Sequence, residues 1–321
     1  MSFWKGKNVL ITGGGGFIGS NLAQDLAGFS NVTITVRRGS GLAGNRLVKE
    51  LEGMVQVLEA DLLEMADCRK ACQGKDYVFH LAAVIGGAEY IKAHPASILR
   101  DNTCMTMNVL EAARASGVKR MMLASSSNVY AENARQPLVE SEGFSGEPGR
   151  TRFGYAWSKR FAEVLARSFA SEFGMKIGIA RPFSVYGRGM PLEYEMASII
   201  PRIILNLHKG RPVRLFGDGT QKRSFIYVSD VVECMKLIME KHPEPDPINI
   251  GSRDEIALCT LARRIAALMG KEPRIELTGA DKEGGRRGCD IRKAEVLLGF
   301  SPKVGLEEGL QRTIGWFNEN A

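Results

Sequence analysis

The chain has 321 residues, 44% of them hydrophobic and 25% charged, with six cysteines and a formal net charge of +7. These proportions allow a sizeable core and exclude a disulfide scaffold or a disordered chain, and the longest apolar runs are too short for a membrane span. The positive excess is spread along the chain, which argues against nucleic acid as a main partner and fits an anionic small substrate with an anionic cofactor.

The opening residues lead straight into a strand pattern, so no cleavable signal is expected. Short apolar runs at 9–11, 32–36, 55–58, 77–81, 121–124 and 177–180 alternate with helical patterns through the first half. Helices are predicted at 17–27, 102–116, 155–173, 196–208, 230–240, 258–269 and 306–318, with Asp101 and Asp230 suited to helix starts. The alternation predicts an α/β fold: a Rossmann-type doubly wound parallel sheet with a smaller α+β C-terminal lobe. Residues 1–182, rejoined by about 225–248, are expected to bind the dinucleotide. Residues 183–224 and 249–321 are expected to form the substrate lobe. Residues 132–152 read as a long polar loop of the kind that carries function. The cysteines at 68, 72, 104, 234, 259 and 289 form no CxxC pair, which predicts reduced thiols in a cytoplasm and no metal site.

The first apolar run ends in Thr12-Gly13-Gly14-Gly15-Gly16-Phe17-Ile18-Gly19. Glycines at 13, 16 and 19 between a strand and a helix suit a turn that brings backbone N–H groups to a diphosphate. After the second strand stand Arg37, Arg38, Gly39 and Ser40, with no carboxylate. An acidic residue there would bind the ribose 2′-hydroxyl of NAD, whereas arginine suits the 2′-phosphate of NADP, so NADP is favoured over NAD. Asp61 and Leu62 end the third strand, where the adenine would lie. Leu81, Ala82 and Ala83 follow His80, and their small side chains let the backbone lie against the cofactor. His80 itself reads as structural.

Tyr155 and Lys159 stand four apart on a predicted helix and so share a face. A phenol beside an ammonium and an oxidised nicotinamide is drawn toward a useful range for proton transfer. The serines at 125, 126 and 127 end the fifth strand, where one hydroxyl would bind the same substrate oxygen as Tyr155.

Taken together, TGGGGFIG, HLAA, SSSNVY, YAWSK, RPFSVYG, FGDGTQKRSFIYVSD, PINIGS and RRGCD resemble the extended short-chain dehydrogenase/reductases of the nucleotide-sugar epimerase/dehydratase group. The likeness runs from about residue 7 to 318. It implies that Gly13, Gly16, Phe17, Ile18 and Gly19 hold the cofactor diphosphate, that Tyr155 is the catalytic acid/base with Lys159 as partner, and that Ser126 is the assisting hydroxyl. It places Pro182 and Phe183 near the nicotinamide. Ser184 stands where many relatives have an Asn that touches the sugar or its phosphates. Arg223 and Arg287 would bind the nucleotide diphosphate, with Asp290 nearby, and two guanidinium forks match phosphate oxygens. Phe216 would flank the base, and Gly86, Ser127 and Asn128 would line the sugar site.

Members that remove water carry an acidic pair where this chain has Ser127 and Asn128. The segments around Val84-Ile85-Gly86-Gly87 and Ser127–Tyr130 are closest in pattern to GDP-mannose 3,5-epimerases and GDP-fucose synthases. Both use a Cys where this chain has Asn128, and an amide does not titrate. Arg188 and Glu193 stand nearby as other polar groups. The expected activity is therefore hydride transfer at a sugar carbon, C4, of a nucleoside-diphosphate hexose, with a GDP-sugar slightly preferred. The alternatives are a 4-keto-6-deoxyhexose reductase, a 3,5-epimerase, or a non-catalytic dinucleotide sensor or RNA-associated protein. A homodimer is implied, with the helices at 102–116 and 155–173 packed against their symmetry mates through Met105, Val109, Leu110, Phe161, Val164 and Leu165. The same residues equally suit a monomer core.

Overall fold

The computed structural model describes residues 3–39, 46–86, 88–191, 198–279 and 287–320. Ser40, Gly87, Glu193, Arg286 and the predicted helix start at 196–197 lie outside the described residues. The first half runs β1 (Asn8–Thr12), α1 (Phe17–Ala27), β2 (Asn31–Val36), α2 (Arg46–Glu50), β3 (Gln56–Glu59), α3 (Met65–Cys72), β4 (Tyr77–His80), α4 (Ala88–Ala93), α5 (Pro95–Ala115) and β5 (Arg120–Ala124). After a stretch of short turns come α6 (Phe153–Phe173), β6 (Ile177–Pro182), β7 (Val185–Tyr186), α7 (Ile199–His208), β8 (Val213–Leu215), β9 (Lys222–Ser224), β10 (Ile226–Tyr227) and α8 (Val228–Lys241). The chain closes with β11 (Ile248–Ile250), β12 (Glu255–Ala257), α9 (Leu258–Leu268), β13 (Ile275–Leu277), α10 (Arg292–Leu298) and α11 (Leu306–Asn320).

Seven strands pair in the order β11-β6-β5-β4-β1-β2-β3, every neighbouring pair parallel. The central strands are buried along nearly their whole length because helices cover both faces. One face packs Val9, Ile11, Ile34 and Phe79 against α1 and α8. The other packs Leu10, Val78, Met121 and Leu123 against α3, α5 and α6. A separate apolar cluster gathers α7, α9 and α11 around Ile203, Leu215, Leu261, Ile265, Leu310 and Phe317, beside the two-stranded pairs β8–β13 and β9–β12. Residues 249–321 do not all join that cluster: Ala294 and Leu298 of α10, and Phe300 after it, pack into the core of the large sheet.

Strand order reverses between β1 and β4, because the chain runs outward from β1 to β3 and then crosses back to β4. The carboxyl ends of β1 and β4 therefore frame the crevice in which open α/β sheets bind ligands.

Candidate functional site

The glycine turn fills that crevice. Gly13 has φ +69°, and a Cβ there would lie 2.8 Å from backbone atoms of Ala82, so only glycine lets the turn pass the end of β4. A Cβ at Gly19 would collide with the carbonyl oxygen of Gly13. Gly16 caps α1 in an extended conformation, no side chain caps the helix, and no acidic residue stands in its first turn. The amide groups of Phe17, Ile18 and Gly19 thus head a helix with its positive end clear, which fits a dinucleotide diphosphate.

A directed hydrogen-bond chain pins the opposite wall. Thr106 Oγ1 donates to the Asn102 carbonyl at 2.8 Å, so toward His80 Nε2, 3.3 Å away, it acts as an acceptor. His80 Nδ1 then accepts from Thr12 Oγ1 at 2.8 Å, and Thr12 Oγ1 accepts the Ala82 N–H at 3.4 Å. Asn102 also clamps the Val84 peptide, its Oδ1 taking the N–H at 2.6 Å and its Nδ2 donating to the carbonyl at 3.0 Å. Leu81, Ala82 and Ala83 lie half-buried within this clamp. Sequence reading missed Asn102, because its role rests on a contact across 18 residues.

His80 is fully enclosed, and burial, helped by the nearby Lys159 charge, pushes its imidazole down to about 3. The unfolded chain takes up that proton near the ordinary 6.5 while the folded chain does not. This group's contribution to stability is therefore intact above pH 6.5 and is lost as pH falls from 6.5 toward 3. The slope is about 1.4 kcal/mol per pH unit. In urea titrations between pH 4 and 6.5, the stability gap between wild type and His80→Gln is expected to change with that slope. Parallel curves would refute the assignment.

At the carboxyl end of β5, Ser126, Tyr155 and Lys159 come together, each more than nine-tenths buried. Lys159 Nζ donates to the Ala124 carbonyl at 2.7 Å and lies 5.7 Å from the Tyr155 ring centre. Desolvation pushes its ammonium down to about 8. Tyr155 stands above the usual phenol range, because burial outweighs the hydrogen bond from Ser126 and the charge of Arg152. The net shift is thus opposite to the one expected from an adjacent ammonium, and the phenol is held protonated in the protein alone. Sequence reading passed over Arg152. It ends a 3₁₀ turn (Arg150–Arg152) leading into α6, and its charge also acts on Arg223.

Arg223 on β9 and Arg287 face each other across a parallel bridge, with the Arg287 N–H bonded to Lys222 O at 3.1 Å and the Ser224 N–H to Arg287 O at 3.3 Å. Desolvation, with Arg287 and Arg152 as like-charged neighbours, pushes the Arg223 guanidinium down to about 10. Three like charges held this close suit an anion.

Comparison with known proteins decides the family. A model described as the NAD dependent epimerase/dehydratase family matches residues 9–251. The chain belongs to that family. It is 30% identical, over 99% of its own length and 98% of the relative's, to a dTDP-4-dehydro-6-deoxy-D-allose reductase of Streptomyces bikiniensis. It is 32% identical, over 98% of each chain, to a UDP-N-acetyl-alpha-D-glucosaminuronate decarboxylase of Bacillus cytotoxicus. The structure of an epimerase from Methanothermobacter thermautotrophicus superposes with a TM-score of 0.91 and 28% identity, covering 99% of this chain and 94% of that one. The chain is thus an enzyme of an NAD-dependent family, and its fold is that family's fold.

Other positions singled out in this epimerase/dehydratase chain divide into two groups. Around the crevice, Pro182 ends β6. Ser184 follows with φ +29°, a conformation uncommon outside glycine, and is exposed. Ser127 and Asn128 form a 3₁₀ turn beside Ser126, and Gly86 lies against the Tyr90 ring. Arg37 is exposed just beyond β2. Arg38 makes a 2.7 Å ion pair with Asp67, whose carboxylate also receives the Asp61 N–H.

In the second group the side chains already have other partners. The Phe183 ring is buried with Tyr130, Leu138, Cys289 and Ile291. Asp290 spends its carboxylate on Arg292, taking the guanidinium at 2.6 Å and the backbone N–H at 2.9 Å. The Asp61 carboxylate accepts the Leu63 N–H at 3.0 Å, and Leu62 is buried. Phe216 is exposed, with the Arg202 guanidinium 5.8 Å from its ring centre.

Among the described residues no cluster of His, Cys, Asp and Glu is placed to hold a metal ion, and no helix is long and apolar enough to cross a membrane.

Proposed function

We propose that this enzyme oxidises or reduces a sugar carbon, C4, of a nucleoside-diphosphate hexose in the cytoplasm. The observation that carries this reading is the buried Ser126–Tyr155–Lys159 group beside the glycine turn, with Arg223 and Arg287 bridged nearby. Residues 183–224 and most of 249–321 act as the lobe that holds the nucleotide. Arg223 and Arg287 clamp its diphosphate, while Ser184, Ser127 and Asn128 meet the sugar. Gly13 to Gly19 cradle the cofactor diphosphate, and Lys159 keeps ammonium hydrogens free of Ala124 for its ribose. The bound nicotinamide, when present, takes or gives the hydride. Tyr155 takes the proton of the sugar hydroxyl in oxidation and returns it in reduction, with Ser126 as the assisting hydroxyl beside it.

Epimerisation with retained cofactor and net reduction of a 4-keto sugar use this same set of groups. Arg37 and Arg38 stand after β2 where an acidic residue would select NAD, and on that ground favour the second, with Arg38 already paired to Asp67. The names of the similar reductase and decarboxylase support a nucleotide-sugar substrate. The enzyme acts as a homodimer, for Phe153, Phe161 and Val164 lie along α6 with more than two-fifths of their surface exposed. Met105, Val109 and Leu110 of α5 are instead spent on the monomer core.

The test mixes purified enzyme with GDP-, UDP- and dTDP-hexoses and their 4-keto derivatives, each with NAD or NADPH. Nicotinamide absorbance and sugar configuration are followed. Turnover with one nucleotide sugar, and a loss of NADPH affinity of about tenfold or more in Arg37→Ala/Arg38→Ala, are expected. No turnover with any member while dinucleotide is bound would overturn the reading.

A further inference from the structure

A serine hydroxyl carries one hydrogen and two acceptor lone pairs. Residue 128 occupies both acceptor positions of Ser126: the Asn128 backbone N–H donates to Ser126 Oγ at 3.1 Å, and Asn128 Nδ2 donates to it at 3.0 Å. The 3₁₀ turn Ser127–Val129 makes this possible, since it folds the amide side chain back over the residue two places earlier. Ser126 then has one hydrogen left to place. Of its neighbours, Tyr155 is the hydroxyl it partners.

We propose that Asn128 is a positioning residue that fixes Ser126 as a one-way hydrogen-bond donor to the Tyr155 oxygen. A donor aimed at a phenol oxygen favours the phenolate, which is the form needed to take a proton from a sugar hydroxyl. Ser126 would otherwise be free to reverse and accept from Tyr155, and a phenol bonded that way resists ionising. The amide therefore does more than replace an acid or base. A carboxylate at position 128 is acceptor-only and would claim the Ser126 hydrogen for itself. An amide at this point tunes the site for moving hydride with Tyr155, at the cost of a second titrating group. The inference rests on the reading of Tyr155 as the proton-transfer group, but its hydrogen-bond content is measurable without turnover.

The groups facing Tyr155 bear on the test. Arg152 and Lys159 are the nearby cations, from the turn before α6 and from α6 itself. His80 stays neutral across the working range.

The experiment titrates Tyr155 in the enzyme without substrate, by phenolate difference absorbance with Tyr155→Phe as the blank. Wild type is compared with Asn128→Asp and with Asn128→Leu, a near-isosteric neutral variant. Each is also made in a Ser126→Ala background. A rise in the Tyr155 pKa of about one unit or more is expected for Asn128→Asp, with a smaller rise for Asn128→Leu. Most of either rise should vanish when Ser126 is already Ala, because the effect passes through its hydroxyl. Activity in the two variants should fall with its pH profile displaced by the same amount.

The inference is overturned if both variants fold, by circular dichroism, and leave the Tyr155 titration in place. It is equally overturned if the Asn128→Asp rise persists in full without the Ser126 hydroxyl, which would make it a plain charge effect. Should the titration move as expected while Tyr155→Phe keeps full turnover, the hydrogen-bond assignment stands and the proposed function falls.

Discussion

Tyr155→Phe is expected to lower turnover by about three orders of magnitude while leaving dinucleotide and nucleotide-sugar affinity within a factor of about two. The ring is buried and packs with Ile91 and Ile98, so removing one oxygen preserves the packing. What disappears is the phenol hydroxyl that is hydrogen-bonded to Ser126. Burial holds that phenol above its usual range, and so the step that removes a proton from a sugar hydroxyl should accelerate as pH rises toward it. The reverse step, which needs the proton, should show the opposite slope. Initial rates in both directions, together with calorimetric binding of cofactor and substrate, check the split. Loss of binding in parallel with turnover would show that the hydroxyl serves affinity, and unchanged turnover would remove Tyr155 from the chemistry.

That expectation was accessible from spacing alone, since Tyr155 and Lys159 lie one helical turn apart and the glycine turn lies at the end of a strand. Local pattern reaches that far because both features are contained within a single element. Where it went short, the deciding interaction was tertiary or hidden by a stronger cue. Asp101 looked like a helix start, yet α5 begins at Pro95, whose locked φ suits a first helical position. The helix Met65–Cys72 escaped because its apolar face reduces to Cys68, Ala71 and Cys72. Asp290 and Phe183 stand at the crevice in sequence register, but folding commits the first to Arg292 and the second to an apolar cluster. Arg152 carries no motif. Its importance comes from a turn that delivers it between Tyr155 and Arg223.

The same contrast explains the support beneath the site. Arg181 and Glu163 each expose 1% or less of their side chain and form a two-pronged pair at 2.8 and 2.7 Å between β6 and α6. Neither could be marked from sequence, because burial of a charge is decided by what packs around it. The pair reaches the catalytic strand directly, for Ser125 donates to Glu163 at 2.5 Å, one residue before Ser126. On its other side Arg181 donates to the Tyr130 hydroxyl at 3.0 Å and the Glu140 carbonyl at 2.8 Å. Tyr130 in turn donates to Asn249 at 2.6 Å. One ion pair thus ties β5, β6, α6 and the segment before α6 to the strand β11.

Glu163→Ala is therefore expected to cost about 3–5 kcal/mol, because it strands a guanidinium in a site with almost no access to water. In a chain of this size that corresponds to a fall in Tm on the order of ten degrees. Exposed pairs such as Arg312–Glu308 should give less than about 1 kcal/mol when broken the same way. The double variant Glu163→Leu/Arg181→Met removes both charges together and should recover a large part of the loss, since an apolar pair of similar volume avoids the desolvation penalty. Denaturant titrations of the three proteins give the comparison. A single variant within about 1 kcal/mol of wild type would show that water reaches Arg181 after all. A double variant no better than the single would show that the hydrogen bonds to Tyr130 and Glu140, rather than the charge pair, hold this corner together. Because Ser125 loses its acceptor in both Glu163 variants, their turnover should fall further than their nucleotide-sugar affinity. The defect is then one of aiming Ser126, not of binding.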